Sequence, residues 1–491
     1  MLRRLLLLLG LLGLTLGSWA HAAAAPRIEL TVAPAWKGWS RPGRMTELDI
    51  RLVSDAATRV NVQLAAGRTT VHTNVDLQPG RVVRLQMAVS TVQRVEVGVT
   101  ALGGDALLHR DVGLSLSESP LLALGLSGSE TIELEGFHSV ALAVDDLPRN
   151  TSAYASIDAL VIDAATLASL DQRQLAALLA HAAACGRIVV VNADPQVRRL
   201  LAGAGGCGGQ ALMDAPTPVQ AKNLLAASLG TSLPPAVTLA GLGDLARPAQ
   251  KSWNRVALAL SVYFAAAVLV LVFMMSLPAL LLLPALASLA VLALQYVAPP
   301  ASQLVVWSEG RAGAKLARYQ AWHRFAGIGR ERTRVAIPQQ LASSAQPCDA
   351  MQTVAFEFDA TRGQVTFAEF NTRLFRQVLV CYSGAFPMDR TPVAGAPVEG
   401  TREIHNAGTK AWPRGALLME GRVHDLPALG PGLHTRIEAR QAMSGRDAAA
   451  RAALVRTGPD DVAALWQLDL GGVADLPVES KAWLLVTVAP R

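Results

Sequence analysis

The sequence predicts a multidomain chain of mixed class: an N-terminal β-sandwich, an α/β domain on a parallel sheet, a two-helix transmembrane hairpin and a C-terminal β-rich domain. Three observations predict it. Apolar and polar residues alternate at period two over 26–118 and again from Met351 onward, the pattern of half-buried strands. Between those stretches, apolar runs alternate with helical patterns, as a parallel sheet with crossover helices requires. Residues 256–298 contain no Asp, Glu, Lys, Arg or His. Composition narrows the class. With 51% hydrophobic and 17% charged residues among 491, a disordered chain is excluded. Four cysteines exclude a disulfide-dense scaffold. A net charge of +6 is too small to argue for a nucleic-acid partner.

Residues 1–22 read as a secretory signal peptide. Arg3 and Arg4 precede the apolar stretch Leu5–Leu16, and Ala20-His21-Ala22 fits the small-x-small cleavage rule. That apolar stretch is too short to cross ~30 Å of hydrocarbon at about 1.5 Å per residue. The expected location is therefore a bacterial inner membrane, with soluble domains in the periplasm.

Residues 26–118 predict an immunoglobulin-like sandwich. Leu48, Ile50 and Leu52 share one face, as do Val60, Val62 and Leu64. Pro42-Gly43, Ala66-Gly67, Pro79-Gly80 and Gly103-Gly104 supply the turns. Trp36 and Trp39 flank Lys37 and are expected to cover the edge of the sandwich.

Residues 119–245 predict the α/β domain. Leu121–Leu126, Ile157–Asp163 and Arg187–Val191 read as strands. Asp171 caps a helix with Leu175, Leu178 and Leu179 on one face, and Gly186 ends it. Asp194-Pro195 opens another helix. The stretch SIDALVIDAATLASLDQRQLAALLAHAAACGRIVVVNADPQVRRLLAGAG resembles the class I glutamine amidotransferase-like, flavodoxin-like domains of bacterial envelope proteins. That resemblance implies a parallel sheet and, in catalytic members, a Cys nucleophile on a strand-to-helix elbow served by a His and a carboxylate. The elbow positions here hold Asn192, Ala193 and Asp194, none of them a thiol, so a non-catalytic member is expected. His181, four residues before Cys185, would place a Cys–His pair on one helical face. Gly125-Leu126-Ser127-Gly128-Ser129 follows a strand, where a ligand loop lies in a doubly wound sheet. It matches neither G-x-S-x-G nor a P-loop and reads as a plain turn.

Residues 256–298 predict the hairpin, with spans Val256–Met275 and Ala279–Val297 divided at Pro278. Without an ionisable group the pair would serve as an anchor rather than a transport path. Two crossings return the C-terminal region to the exported side. The basic juxtamembrane segment 302–335 sets Arg318, Tyr319, Trp322 and Arg324 close together. Rings among guanidiniums are expected to lie on anionic headgroups at the membrane interface. The competing expectation is a juxtamembrane helix packed on its own domain. The lipid bilayer and other envelope or inner-membrane proteins are the expected partners, with no nucleic acid.

Residues 336–491 predict the second β-rich domain, with strands at Val354–Phe358, Leu374–Tyr382, Gly415–Val423, His434–Ala439, Val462–Leu470 and Trp483–Val488. Cys348 and Cys381 are expected to form a disulfide. It would close a loop of about 33 residues, worth roughly 2–4 kcal/mol, in an oxidising compartment. His405, His424 and His434 lack metal-ligand spacing, and no CxxC occurs. No catalytic, metal or cofactor residue is assigned. The functional expectation is a membrane-anchored envelope protein acting as a non-enzymatic interaction or scaffold module. Its rival is a membrane-tethered hydrolase or amidotransferase-like enzyme using Ser127 or Cys185.

Overall fold

Side-chain alternation decides which face of each strand turns inward. In strand Met45–Ser54, Leu48, Ile50 and Leu52 are fully buried while Arg51 is exposed. The structure, a computed structural model, describes residues 26–101, 106–127, 132–202, 212–229, 301–314, 316–326, 332–337, 345–348, 352–362, 364–371, 377–388, 392–395, 401–438, 462–468 and 479–487, with isolated positions between 257 and 288.

Met45–Ser54 lies between Ile28–Pro34 and Val83–Ser90 in an antiparallel three-stranded sheet. This sheet packs on a seven-stranded one, and a single apolar core joins them. Four strands of the larger sheet come from the N-terminal region: Thr58–Ala66, Thr69–Leu77, Arg94–Ala101 and Ala106–Gly113. The other three come from far along the chain. Val354–Asp359 pairs in parallel with Thr69–Leu77, Phe356 opposite Val71, and is followed outward by Gln364–Asn371 and Arg332–Ala336. An edge strand carries unpaired N–H and C=O groups, and Val354–Asp359 pairs with those of Thr69–His72 while burying Phe356 and Phe358. The N-terminal sandwich is therefore not a module closed at residue 118.

Five strands pair in parallel in the order His138–Ala141, Leu121–Gly125, Ala159–Asp163, Arg187–Val191 and Leu212–Ala215. Counted along the chain this is 2-1-3-4-5. Apolar clusters cover both faces, as parallel strands demand.

Residues 302–335 differ most from expectation. Their described residues form strands and no helix. Ala301–Arg311 and Leu316–Ala326 are antiparallel strands in the middle of an eight-stranded sheet. Ala317, Tyr319, Ala321, His323 and Phe325 are all buried, a period-two face that the intervening arginines disguised. Gly313, at positive φ (82°), turns the hairpin. The sheet is completed by Gln377–Pro387, Glu479–Thr487, Ala463–Leu468, Gly415–Met419 and two short edge strands.

The expected fold class is corrected accordingly. The described residues are mostly strand, and their β elements interleave across the chain instead of separating into N- and C-terminal domains. No helix among them is long and apolar enough to cross a membrane, so the transmembrane hairpin and the inner-membrane location are not upheld. Most of 256–298, and all of 1–22, lie outside the described residues.

Candidate functional site

In a parallel sheet whose strand order reverses, the crevice for ligands opens beyond the carboxyl ends of the two central strands. Here those ends are Gly125 and Asp163. Asp163 accepts bonds from the Ser127 amide (2.5 Å), the Ser127 hydroxyl (2.6 Å) and the Thr166 amide (2.7 Å). Burial pushes its carboxyl up, but the Ser127 and Thr166 bonds together outweigh that and hold it below the usual range. Asp163 is thus the cap of helix Ala164–Ser169, and Ser127 is the strut that ties the loop to it.

The larger opening lies elsewhere. Asp171 and Gln174 form a reciprocal capping box that starts helix Gln172–Ala183. At the far end Cys185 takes the left-handed conformation (φ 69°), and the Gly186 amide closes onto the His181 carbonyl. Gly186 has a second role, since a Cβ there would lie 2.0 Å from His181 Nε2. A cleft of about 360 Å³ separates this helix end from strands Leu316–Ala326 and Gln377–Pro387, with Arg44, Asp158, His181, Arg187, Arg318 and Tyr319 on its walls.

Arg318 crosses the cleft. It donates through Nε to Glu309 (2.7 Å), through Nη2 to the same carboxylate, and through Nη1 to Cys185 Sγ (3.0 Å). Glu309 also accepts from Trp307 Nε1 at 2.8 Å. Cys185 is disulfide-bonded and offers no thiol. The His181 ring packs 5.1 Å from that of Tyr154, and its Nε2 has no hydrogen-bond partner among the described residues. Burial pulls its pKa down to about 4, so it is neutral near pH 7.

The four residues expected at a membrane interface are placed otherwise. Tyr319 and Trp322 are buried, Arg318 is locked in its ion pair, and Arg324 is half-buried in the same strand. One face of the strand is buried and the other is half-buried or buried, which leaves no lipid-facing stripe. Trp322 packs in one cluster with Cys348 and Cys381, which form a disulfide with Cα atoms 5.0 Å apart. His405 and His434 stand opposite each other in antiparallel strands, while His424 is buried in another sheet. No cluster able to hold a metal ion occurs among the described residues.

Three features escaped the sequence reading. Trp36 does not cover the sandwich edge. It is fully buried in the core of the parallel sheet, donates to the Ala153 carbonyl (3.0 Å) and meets Tyr154 edge-on at 5.2 Å. His323 bonds Ser302 Oγ (2.7 Å) and the Tyr382 hydroxyl (3.3 Å), and burial lowers its pKa to about 3. A Ser–His contact of that length would suit a nucleophile and its base, but so weak a base cannot hold a proton near pH 7. Glu47 is only 4% exposed and accepts bonds from the Arg149 and Asn150 amides (3.2 and 2.7 Å). Burial raises its pKa to about 7 against those bonds. Period two would have placed Glu47 on a solvent face. That face is covered instead by the turn Thr151–Ser156, where Ser156 donates to the Met45 carbonyl.

No family model and no curated protein matches the chain. Among solved structures, a β-glucosidase from Listeria innocua in complex with glucose is 14% identical over 19% of this chain, with a TM-score of 0.14. The match spans 17% of that enzyme, and a likeness so slight carries no argument about fold or activity. The glutamine amidotransferase-like reading finds no counterpart in these comparisons and is not carried further.

Proposed function

We propose that this protein is a non-enzymatic interaction or scaffold module that uses the cleft beside Arg318 as its recognition surface. One observation carries the reading: the side chains nominated as nucleophiles are already spent on holding the fold. Cys185 is in a disulfide and receives the Arg318 guanidinium, and the Ser127 hydroxyl is given to the helix-capping Asp163. A nucleophile needs a base within hydrogen-bond reach and a free attacking atom. Asp163, the carboxylate that holds Ser127, is kept below the usual range against its burial by its capping bonds, and His181 is weakened by burial, so neither is a competent general base.

A fluorophosphonate probe and a thiol alkylating probe test this on the native protein. Neither is expected to label it above the heat-denatured control. Labelling of the native chain that disappears in S127A, S302A or C185S would establish the hydrolase reading in its place.

A further inference from the structure

A second cavity shares Thr151 with the cleft. It measures about 180 Å³, and Glu47, Arg84, Arg149, Arg173 and Arg362 line it. We propose that this cavity binds a small oxyanion that still carries a proton, namely inorganic phosphate.

The arginines are arranged as recognition groups. Arg84 is held through Nε by Asp49 at 2.7 Å, and Arg149 through Nε by Asp171 at 2.6 Å. Arg362 is anchored by Asp359 at 3.6 Å, again at Nε. Asp49 and Asp171 each hold a guanidinium by its Nε edge, and Asp359 lies within ion-pair range of the third. The guanidinium fork matches the oxygens of a phosphate. Arg173 makes no ion pair with any described residue and adds a fourth charge at the mouth. These cations come from separate stretches of chain: a sandwich strand, the loop, the helix and the hairpin 359–364.

Glu47 supplies the selectivity. It is buried, and its Oε1 takes only one long bond, 3.3 Å from the Arg149 amide. The charges around it are Arg149 and Arg84, the Asp49 of its own strand, and Asp145 and Asp171 from the parallel-sheet region. The Tyr154 phenol that faces it is kept neutral by burial. A carboxylate beside a bound anion is tolerated only with a proton between the two oxygens. Hydrogen phosphate brings that proton and sulfate does not. When Glu47 is itself protonated it can donate to either ion. Discrimination between the two ions is therefore expected to depend on pH, with the change centred on the Glu47 titration near 7.

The test is calorimetric titration of the full chain with inorganic phosphate, methyl phosphate and sulfate at about pH 5.5 and about pH 8.5. Phosphate is expected to bind at both values. Sulfate should compete at the lower value and fall behind by roughly tenfold or more at the higher one, the worth of one charge-assisted hydrogen bond. Methyl phosphate, whose second pKa is about 6, has lost its last proton at the higher pH and should fall behind with sulfate there, and a methyl ester that binds as tightly as inorganic phosphate at that pH also overturns the proposal. E47Q should let sulfate equal phosphate at the higher pH. R173A/R362A, changing two exposed side chains, should weaken phosphate at least tenfold with an unchanged circular dichroism spectrum. No heat with phosphate, equal binding of sulfate and phosphate by the parent protein at about pH 8.5, or undiminished binding by R173A/R362A overturns the proposal. None of these outcomes bears on the cleft, so this site and the scaffold reading stand or fall separately.

Discussion

Glu47, His181 and His323 are buried groups of opposite sign, and they set opposite limbs of the stability profile. The folded pKa of Glu47, about 7, lies above its ordinary 4.5. Its contribution is full below 4.5 and is lost as pH rises through 7. The histidines have folded values of about 4 and 3 against an ordinary 6.5. Their contributions are full above 6.5 and are lost as pH falls toward those values, each by up to about 1.4 kcal/mol per pH unit. Urea midpoints measured across this range should therefore peak near neutrality. Between 4.5 and 6.5 the Glu47 slope cancels that of one histidine, so H181L should nearly flatten the profile there, while E47Q should steepen it and remove the decline above 6.5. An unchanged profile in both variants would show that these groups are solvated. None of the three was legible as a perturbed group. Glu47 reads as a solvent-face residue and His323 as one more polar residue among arginines until the covering segment is known.

Short elements do the joining. Ala35–Gly38 is a single turn in which Trp36 and Lys37 both sit at positive φ, 56° and 53°, a region costly for residues with a Cβ. The turn delivers the Trp36 indole out of the sandwich and into the neighbouring core. W36A should cost about 3–5 kcal/mol, as for other buried aromatic truncations. W36F, which keeps the ring contact with Tyr154 and strands the Ala153 carbonyl, should cost less, about 1–3 kcal/mol. Denaturant unfolding distinguishes the two. Equal losses would mean that the hydrogen bond, and not the packing, is what matters. At this scale the sequence was readable where one face is apolar and the other polar. Helix Gln172–Ala183 and the strand Arg187–Val191 follow from capping and from an unbroken apolar run. The segment Leu316–Ala326 was not readable, because one face of its strand is buried, the other is half-buried or buried, and Arg318 is taken up by Glu309, so composition suggested a surface that does not exist.

The whole molecule is assembled from strands distant in sequence. Val354–Asp359 completes the sheet begun by Thr69–Leu77, and Glu479–Thr487 lies parallel to Ala301–Arg311. Local patterning announces strands but not which of them will be neighbours, which is why separate N- and C-terminal β domains seemed sufficient. A fragment of residues 26–118 should accordingly fail to behave as a monomer. It keeps the bare edge of Thr69–Leu77 and lacks Phe356 and Phe370 from its core. Size-exclusion chromatography with amide-resolved NMR checks this. A sharp, dispersed monomer spectrum would show that the N-terminal strands close on their own.

That pairing also imposes a timetable on synthesis. Val354 leaves the ribosome about 280 residues after the Thr69 it must join. At roughly 5–20 residues per second, the waiting edge stands open for about 15–60 s. Hairpins form in microseconds, so the early strands collapse long before their last neighbour exists. During that interval the nascent chain holds a partly built sheet, which an escorting chaperone would recognise before any native ligand could.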